Sequence, residues 1–224
     1  MPRIFLVAAG AHRAPERLLS ARTEEDVLIA VNGGHRVLTN CGLIPDRTIG
    51  DLDSLDSVER HALTMRDEGV DIHPVDKDAT DGQLALDWVR RQTQWSDWSI
   101  WIWGGLGDRF DHTLALLLYV ATLEDHGRIL LTDGVQWAYV LTDRCTVMGK
   151  PGDTLSLIPL DRRVTGIHSI GLRFPLQDQT LEQNQTLGVS NALTHDRATV
   201  EIRGTGRLAL IHHRAMDTTG ASPE

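Results

Sequence analysis

The 224-residue sequence predicts an α/β N-terminal domain, with a mostly parallel sheet covered by helices, followed by an all-β, sandwich-like C-terminal domain. Two observations predict this class. Up to about Leu131, short apolar runs alternate with helical patterns; beyond it, short strands follow one another with Gly, Pro and Asp turns between them. We therefore expect domains at residues 1–131 and 132–216, and a disordered tail at 217–224 that lacks core-forming residues.

The first domain alternates strand and helix signals. Apolar runs that end in Gly or polar residues predict strands over Arg3 to Ala9, Val27 to Val31, Arg47 to Gly50, Val70 to Val75 and the run WSIWIW before Gly104. Mixed or apolar helical spacing predicts helices over Leu55 to Glu68, from about Asp78 onward, and over about His112 to Leu123. Ligands of such parallel sheets bind at the carboxyl ends of the strands. The acidic and glycine-rich turns of this sequence all fall at such ends.

The second domain shows only strand signals, in the runs VQWAYVL, DTLSLIPL, ATVEIRG and GRLALIHH. These short runs with turns between them predict antiparallel strands, in a sandwich or a small barrel. His212 and His213 are adjacent on the last run and would face opposite ways. A structural role is therefore favoured over a metal pair.

Composition excludes several classes of protein. The net charge of -9 and the lack of a basic run argue against nucleic-acid binding, and no apolar stretch reaches the ~18 residues of a membrane span. The first residues lack the basic and long apolar regions of a signal peptide, so we expect a cytoplasmic protein with no membrane partner. Cys41 and Cys145 lack metal-ligand spacing and are expected to be reduced thiols.

The stretch GDLDSL places Asp51 and Asp53 one residue apart after an apolar run. In a strand the two side chains would point the same way, which brings two like charges together. Magnesium would stabilise such a pair, because it takes oxygen ligands from one or two carboxylates together with substrate phosphates. The alternative is a solvated turn before a helix, with Ser54 as the N-cap.

The stretch DKDATD gathers more carboxylates at a strand-to-helix turn. Asp78 and Asp81 are three residues apart and would share a side of the helix start, and either Asp78 or Thr80 would cap that helix. Carboxylates are also stabilised there by the helix dipole, which is a structural reason for their presence. Lys77, which stands among them, either cancels local charge or contacts a phosphate.

The stretch GGLGDRFDHTLA combines three glycines, an arginine and a helix start. Gly104, Gly105 and Gly107 let the backbone approach a ligand, and Arg109 offers a planar fork for phosphate. Asp111 and His112 lie at the helix start, either as ligands of the nucleotide or as a helix cap and a surface imidazole. Neither a Walker loop nor a GxGxxG fingerprint is present. Together the three stretches indicate a nucleotide-dependent transferase.

In this order and spacing, the three stretches resemble the motifs of the thiamine pyrophosphokinase family, also called thiamine diphosphokinase. The likeness continues through SLIPL, VTGIHSIGLRFPL and GVSN, and it covers the chain from about Ile4 to Ile211. The resemblance implies an α/β domain that binds ATP and Mg²⁺, a β-sandwich domain that helps bind thiamine, and a homodimer with active sites shared between subunits. It also implies transfer of the diphosphate of ATP to the thiamine hydroxyl, giving thiamine diphosphate and AMP.

The resemblance carries specific roles onto this sequence. Asp51, Asp53 and Asp81 would be the magnesium ligands and catalytic carboxylates, with Asp78 close by, and Asp78 or Asp81 would accept the hydroxyl proton. The implied ATP-binding residues are Lys77, Thr80, Gly105, Arg109, Asp111 and His112. The implied thiamine-binding residues are Phe174, Ser190 and Asn191.

Two positions depart from the family pattern. Asn32, before Gly33 and Gly34, stands where the family has an acidic residue, and Asp108 stands where a glycine is common. Asn32 and Phe174 leave open an enzyme that phosphorylates or pyrophosphorylates another alcohol. A non-catalytic nucleotide or thiamine sensor is a further alternative, against which the three carboxylates argue.

Overall fold

A computed structural model describes residues 2–65, 69–107 and 109–214. The chain divides into two compact units, residues 1–134 and 135–224. The sequence prediction placed this boundary after residue 131, three residues earlier. Asp108 and the predicted tail at 217–224 lie outside the described residues.

In the described part of the first unit, six strands run parallel in the order β6-β5-β1-β2-β3-β4. Their bounds are β1 Arg3–Val7, β2 Val27–Val31, β3 Arg47–Gly50, β4 Val70–Ile72, β5 Ser99–Trp103 and β6 Ile129–Thr132. The inner strands are apolar on both faces, as parallel strands covered by helices require, and residues 4–7 of β1 are fully buried. The predicted α/β class is confirmed.

The order of these strands reverses at β1. The chain proceeds outward from β1 through β2 and β3 to β4, then returns to pair β5 with the other side of β1. Such a reversal opens a crevice at the carboxyl ends of the two strands that flank it, and ligands of open parallel sheets bind there. The turns after Val7 and Trp103 border this crevice.

Five α-helices of the described residues connect the strands: α1 Pro15–Ala21, α2 Gly34–Asn40, α3 Ser57–Thr64, α4 Asp81–Arg90 and α5 Phe110–Ala121. Helix α3 begins with a capping box, in which the Asp56 side chain accepts from the backbone of Val58 and Glu59. The alternative in which Ser54 is this N-cap is therefore wrong. Helix α4 is capped by Thr80, one of the two predicted candidates.

The described part of the second unit is a sandwich of two antiparallel sheets, ordered β12-β9-β14-β7 and β11-β10-β13-β8. The bounds are β7 Gln136–Leu141, β8 Arg144–Met148, β9 Thr154–Pro159, β10 Arg163–Ile170, β11 Gln179–Glu182, β12 Asn191–Ala192, β13 Arg197–Ile202 and β14 Leu208–His213. Buried side chains of both sheets, such as Leu155 and Val200, form one apolar cluster. The predicted all-β, sandwich-like class is thus confirmed.

Two adjacent histidines on β14 behave as their alternation predicts. His212 is fully buried, and its Nε2 lies 3.1 Å from Asp153 Oδ2, whereas His213 is exposed. Burial outweighs this carboxylate and lowers the pKa of His212, so a neutral imidazole is favoured. The prediction that the two side chains face opposite ways is confirmed, and the structural role applies to His212.

Some predicted elements are longer than those observed. β1 ends at Val7 instead of Ala9, where the chain turns into the crevice, and β4 ends at Ile72 instead of Val75. The helix predicted over Leu55 to Glu68 starts at Ser57, and its last three predicted residues lie outside the described ones. Among the described residues, no helix is long and apolar enough to cross a bilayer.

Candidate active site

Asp51 and Asp53 are brought together by a turn, and not by a strand as predicted. β3 ends at Gly50, whose φ of +148° only glycine readily adopts, and Leu52 takes a left-handed φ of +58°. The Leu52 side chain is fully buried, which anchors the turn, and the backbone N–H of Asp53 donates to Asp51 Oδ1 at 3.2 Å. The convergence was predicted correctly, but its cause is a left-handed turn with a buried leucine at its centre.

Asn32 lies at the centre of the predicted carboxylates. Its Nδ2 donates to Asp51 Oδ1 at 2.9 Å, to Asp53 Oδ1 at 3.0 Å and to Asp81 Oδ2 at 3.3 Å. Its Oδ1 accepts from the Ser54 hydroxyl at 2.9 Å. Ionised carboxylates only accept hydrogen bonds, so the amide nitrogen must face them. The amide of Asn32 therefore supplies a donor that an ionised carboxylate at this position could not supply.

Lys77 completes this cluster. Its Nζ lies 2.7 Å from Asp51 Oδ2 and 2.8 Å from Asp81 Oδ1, and its side chain is 14% exposed. Burial opposes ionisation of Asp51, but the Lys77 hydrogen bond, the Asp53 backbone and the Lys77 charge together lower its pKa to about 2. The same contacts outweigh burial at Lys77 and raise the pKa of its ammonium group. The structure thus joins Asp51, Asp53, Asp81 and Lys77, all of them predicted site residues.

Asp78 is the predicted catalytic residue that stays apart. Its side chain is exposed, and in the part of the chain that the structure describes no hydrogen bond or ion pair links it to the other carboxylates. Asp78 precedes helix α4, and Thr80 occupies the cap position. Of the two candidates for proton acceptance, only Asp81 lines the cavity beside the cluster.

A cavity of about 420 Å³ lies beside the cluster, at the crevice between the carboxyl ends of β1 and β5. It is lined by residues from every turn that borders the crevice: Ala8, Ala9, Gly10, Val31, Asn32, Gly33, Ser54, Thr80, Asp81, Gly82, Gly104, Gly105, Gly107, Arg109, His112, Thr113 and Leu116. Many are glycines or alanines, so the wall is largely backbone. A wall of this kind offers N–H groups to an anionic ligand and little steric resistance.

Glycines let the two main turns of this cavity touch. A Cβ on Gly10 would lie 2.3 Å from Gly104 O, and one on Gly107 would lie 2.6 Å from the Ala11 nitrogen. His12 packs into the same contact, and its Nε2 bonds Ala8 O at 2.8 Å. Burial lowers the pKa of His12, so its neutral form is favoured. Sequence reasoning assigned glycines to the later turn but missed the turn of residues 8–12.

Arg109, which lines the cavity, forms an ion pair with Asp111. Arg109 donates twice to Asp111, from Nε at 3.0 Å and from Nη2 at 2.6 Å, and both side chains are more than half exposed. The Arg109 hydrogen bonds lower the pKa of Asp111 to about 2. Asp111 lies in the first turn of α5, whose N-cap position is Arg109, so the alternative of Asp111 as the helix cap is wrong.

The predicted thiamine residues lie together in the second unit. Asn191 Nδ2 donates to Phe174 O at 2.7 Å, and the Phe174 N–H donates to Asn191 Oδ1 at 3.0 Å. Phe174 is 62% exposed. The Arg173 guanidinium carbon lies over the Phe174 ring, 5.5 Å from the ring centroid. Ser190 is exposed, with a left-handed φ of +60°. Asn191 therefore holds the backbone that presents an exposed aromatic ring.

The carboxylate cluster has the chemistry of a metal site. Among residues 2–65, 69–107 and 109–214, no three His, Cys, Asp or Glu side chains already surround a common metal position. Asn32 Nδ2 and Lys77 Nζ lie between the carboxylates, and Asp81 Oδ1 is buried without a hydrogen bond of good geometry. The three carboxylates, including the buried Asp81 Oδ1, are suitable ligands for a hard divalent cation if the Lys77 ammonium group is displaced.

Comparison with known proteins identifies the family. The sequence matches the thiamin pyrophosphokinase catalytic domain over residues 19–131 and the thiamin pyrophosphokinase vitamin B1 binding domain over residues 142–205. It is 28% identical to thiamine pyrophosphokinase of Bacillus subtilis over 203 residues, which are 89% of this chain and 93% of that protein.

Solved structures agree with these matches. The crystal structure of the Bacillus subtilis enzyme aligns with a TM-score of 0.80 at 26% identity, over 96% of this chain and all of the other. That of the Geobacillus thermodenitrificans thiamin pyrophosphokinase aligns with a TM-score of 0.79 at 27% identity, over 99% of this chain and all of the other. With the catalytic-domain match alone spanning half of its residues, the chain belongs to the thiamine pyrophosphokinase family.

Proposed function

We propose that the chain is an ATP-dependent thiamine diphosphokinase, which transfers the diphosphate of ATP to thiamine and yields thiamine diphosphate and AMP. The observation that carries this function is a glycine-walled cavity with three carboxylates at its edge, in a chain that matches both domains of the family. An acidic group of this kind beside a backbone-lined crevice suits a metal-bound triphosphate.

ATP would occupy this cavity. Gly105 and Thr80 line it with backbone and hydroxyl groups, and Arg109 and His112 also line it. The Arg109 fork would exchange Asp111 for phosphate oxygens, because a bidentate guanidinium contact suits both kinds of acceptor. Lys77, which contacts the cavity residue Asp81, would carry the second positive charge towards the triphosphate.

Mg²⁺ would be held by Asp51, Asp53 and Asp81. When bound, it supplies charge neutralisation for the triphosphate and holds it for attack. Asn32 holds the three carboxylates together through hydrogen bonds from its Nδ2. The buried Leu52 side chain fixes the turn between Asp51 and Asp53. This chain's part is therefore to preorganise the ligands before the ion arrives.

Thiamine would be bound through Phe174, Ser190 and Asn191 of the second unit. The exposed Phe174 ring offers a face for stacking, and the thiazolium cation is attracted to such a face. The reaction needs an in-line approach of the hydroxyethyl oxygen to the β-phosphorus of ATP. The oxygen that bridges the α- and β-phosphorus atoms leaves with AMP, and the hydroxyl proton passes to a carboxylate. Asp81 is the favoured acceptor because it lines the cavity.

We propose further that two copies of the chain form a homodimer with shared active sites, and that it works in the cytoplasm. The family resemblance supports the dimer. Free thiols at Cys41 and Cys145 are the usual state in a reducing compartment, which supports the location.

One incubation tests the function. The purified protein is mixed with ATP, Mg²⁺ and thiamine, and all nucleotide and thiamine products are resolved by chromatography. Thiamine diphosphate and AMP in equal amounts are expected. Thiamine monophosphate with ADP would replace diphosphate transfer by phosphoryl transfer, and ATP binding without turnover would indicate another acceptor or a sensor.

A further inference from the structure

Lysine is rare in this chain. Of its 22 Lys and Arg residues, only Lys77 and Lys150 are lysines. One of the two stands inside the acidic cluster, where an arginine would form a fixed bidentate pair. An ammonium group differs from a guanidinium because it is a compact point charge on a flexible stem. The position between Asp51 and Asp81, where a metal ion would bind, is thus filled by the compact ammonium group of Lys77.

Lys77 and Asn32 divide the oxygens of two carboxylates between them. Asp51 Oδ1 accepts from Asn32 and Oδ2 contacts Lys77, while Asp81 Oδ2 accepts from Asn32 and Oδ1 contacts Lys77. All four oxygens therefore have a donor within 3.3 Å. A cation could bind the two oxygens that contact Lys77, Asp51 Oδ2 and Asp81 Oδ1, only by replacing the ammonium group. Two like charges at one position repel strongly.

Lys77 and its two carboxylate partners lie on different kinds of backbone. Asp81 lies in the first turn of α4, and Asp51 follows β3 in the anchored turn. Lys77 instead lies between β4 and α4, in residues 73–80, which belong to neither a helix nor a strand. Asp81 is thus fixed by helix α4 and Asp51 by the anchored turn, and the lysine is joined to them by a flexible side chain.

We propose that Lys77 is an exchangeable counter-ion: its ammonium group fills the cation position between Asp51 and Asp81, and it leaves these oxygens for nucleotide phosphate when a divalent cation binds. This inference rests on the proposed function, in which the same carboxylates hold Mg²⁺. With the ammonium group in place the three carboxylates and Lys77 sum to -2, and replacement of the ammonium group by one divalent cation changes this sum to -1. An ammonium group that stays nearby can then serve the triphosphate.

The exchange gives Lys77 opposite effects on two ligands. Its removal should strengthen binding of a divalent cation to the nucleotide-free protein, since the cation no longer competes with an ammonium group. It should weaken binding of the nucleotide, which loses a positive contact. A lysine that only stabilises the fold, or only contacts ATP, would not strengthen cation binding.

Titration with Mn²⁺, followed by its paramagnetic resonance signal at pH 7.5 without nucleotide, tests this directly. Lys77→Gln should bind Mn²⁺ at least tenfold more tightly than the wild type, about 1.4 kcal/mol. Lys77→Arg, which keeps the charge but would form a fixed bidentate pair, should bind Mn²⁺ no more tightly than the wild type. Lys150→Gln, at an exposed lysine of the second unit, should stay within threefold of the wild type. Equal affinities of Lys77→Gln and wild type would overturn the proposal.

Two additions separate this proposal from the proposed function. If Asp51→Asn leaves Mn²⁺ affinity unchanged, the metal lies elsewhere, and both the assigned site and the exchange fail. If Asp51→Asn weakens Mn²⁺ binding but Lys77→Gln does not strengthen it, only the exchange fails.

The wild-type chain supplies a test that does not depend on a variant's folding. With ¹⁵N-labelled lysine, the two side-chain ammonium groups give separate nuclear magnetic resonance signals. The Lys77 signal should shift on addition of Mg²⁺ without nucleotide, and the Lys150 signal should not. A Lys77 signal unchanged at saturating Mg²⁺ would overturn the proposal.

Discussion

Two charged groups at the cavity, each with one residue in its lining (Asp81 and Arg109), are built in opposite ways, and we call them the buried wall and the exposed wall. On one side Asp51, Asp81 and Lys77 are nearly buried and joined through Asn32 to backbone and side-chain partners. On the other side Arg109 and Asp111 are exposed and bonded chiefly to each other. The residues of the buried wall are held in one arrangement before any ligand binds. Separating the exposed Arg109–Asp111 pair requires little free energy. Preorganisation is thus confined to the side where a metal would bind.

The largest expected effect comes from the buried wall. Asp81→Asn keeps the shape but removes the charge that faces Lys77 and the cavity. Turnover to thiamine diphosphate should fall at least ~100-fold, the usual cost of one preorganised electrostatic contact. Product formation under saturating ATP and thiamine measures this, with circular dichroism as a check of folding.

Two further variants sharpen the result. Asp97→Asn, an exposed carboxylate of the same unit, should leave turnover unchanged. Asp78→Asn should lose less activity than Asp81→Asn, because Asp78 is exposed and apart from the cluster. A larger loss for Asp78→Asn would move the proton-accepting role to that residue.

The next effect concerns the amide at the centre of the cluster. Asn32→Asp replaces a donor to three carboxylates with a fourth carboxylate. The free energy of unfolding in EDTA should fall by about 3 kcal/mol, the upper cost of leaving buried polar groups unpaired. Added Mg²⁺ should raise the melting temperature of the variant more than that of the wild type.

Asn184→Asp is the control for this change, because it adds the same charge at an exposed position of the second unit. It should alter neither the stability in EDTA nor the response to Mg²⁺. If Asn32→Asp is as stable as the wild type in EDTA, the amide is not what holds the carboxylates together.

Acid distinguishes the two walls directly, although Asp51 and Asp111 both have a pKa of about 2. Each pKa is below the ordinary value of 3.8, so ionisation stabilises the fold above that pH, and the contribution is lost as pH falls towards 2. For buried Asp51 the contribution is about 2 kcal/mol. For exposed Asp111, solvent screens the pair and little is expected.

Denaturant unfolding of the wild type, Asp51→Asn and Asp111→Asn between pH 2 and pH 6 measures both contributions. The stability difference between the wild type and Asp51→Asn should shrink as pH falls below 4. The difference for Asp111→Asn should stay small throughout. Equal acid dependence of the two differences would contradict the contrast between the walls.

The sequence predicted the parts of this site that carry a chemical signal. Parallel strands buried on both faces leave continuous apolar runs, so β1, β2, β3 and β5 were placed within two residues of their observed bounds. Since parallel strands end at one edge of the sheet, the acidic turns that carry Asp51 and Asp81 were expected at that edge, and the family resemblance assigned both residues to one site. The turn of residues 8–12 was missed because small residues such as Ala8 and Gly10 occur in many kinds of loop.

The sequence did not predict the backbone conformation of the acidic turn, or the side-chain hydrogen bonds made to its carbonyl groups. The strand argument for Asp51 and Asp53 gave the right grouping for the wrong reason, because nothing in a leucine predicts the left-handed φ of Leu52. Arg60 gave no signal at all. An exposed arginine on a helix is usually solvated, and its acceptors here are carbonyl groups, which every residue has.

Arg60 provides the smallest and most specific prediction. Its Nε donates to Leu52 O at 3.2 Å and its Nη2 to Asp51 O at 3.1 Å, so it braces the left-handed turn from helix α3. Arg60→Ala should weaken Mn²⁺ binding about threefold to tenfold, because the loss of such hydrogen bonds costs about 1 kcal/mol. Arg60→Lys, with one donor group in place of the fork, should recover part of the affinity, and Arg91→Ala, another exposed arginine, should change nothing. If Arg60→Ala lowers the melting temperature but leaves Mn²⁺ affinity intact, Arg60 supports helix α3 alone, and the buried leucine suffices to hold the acidic turn.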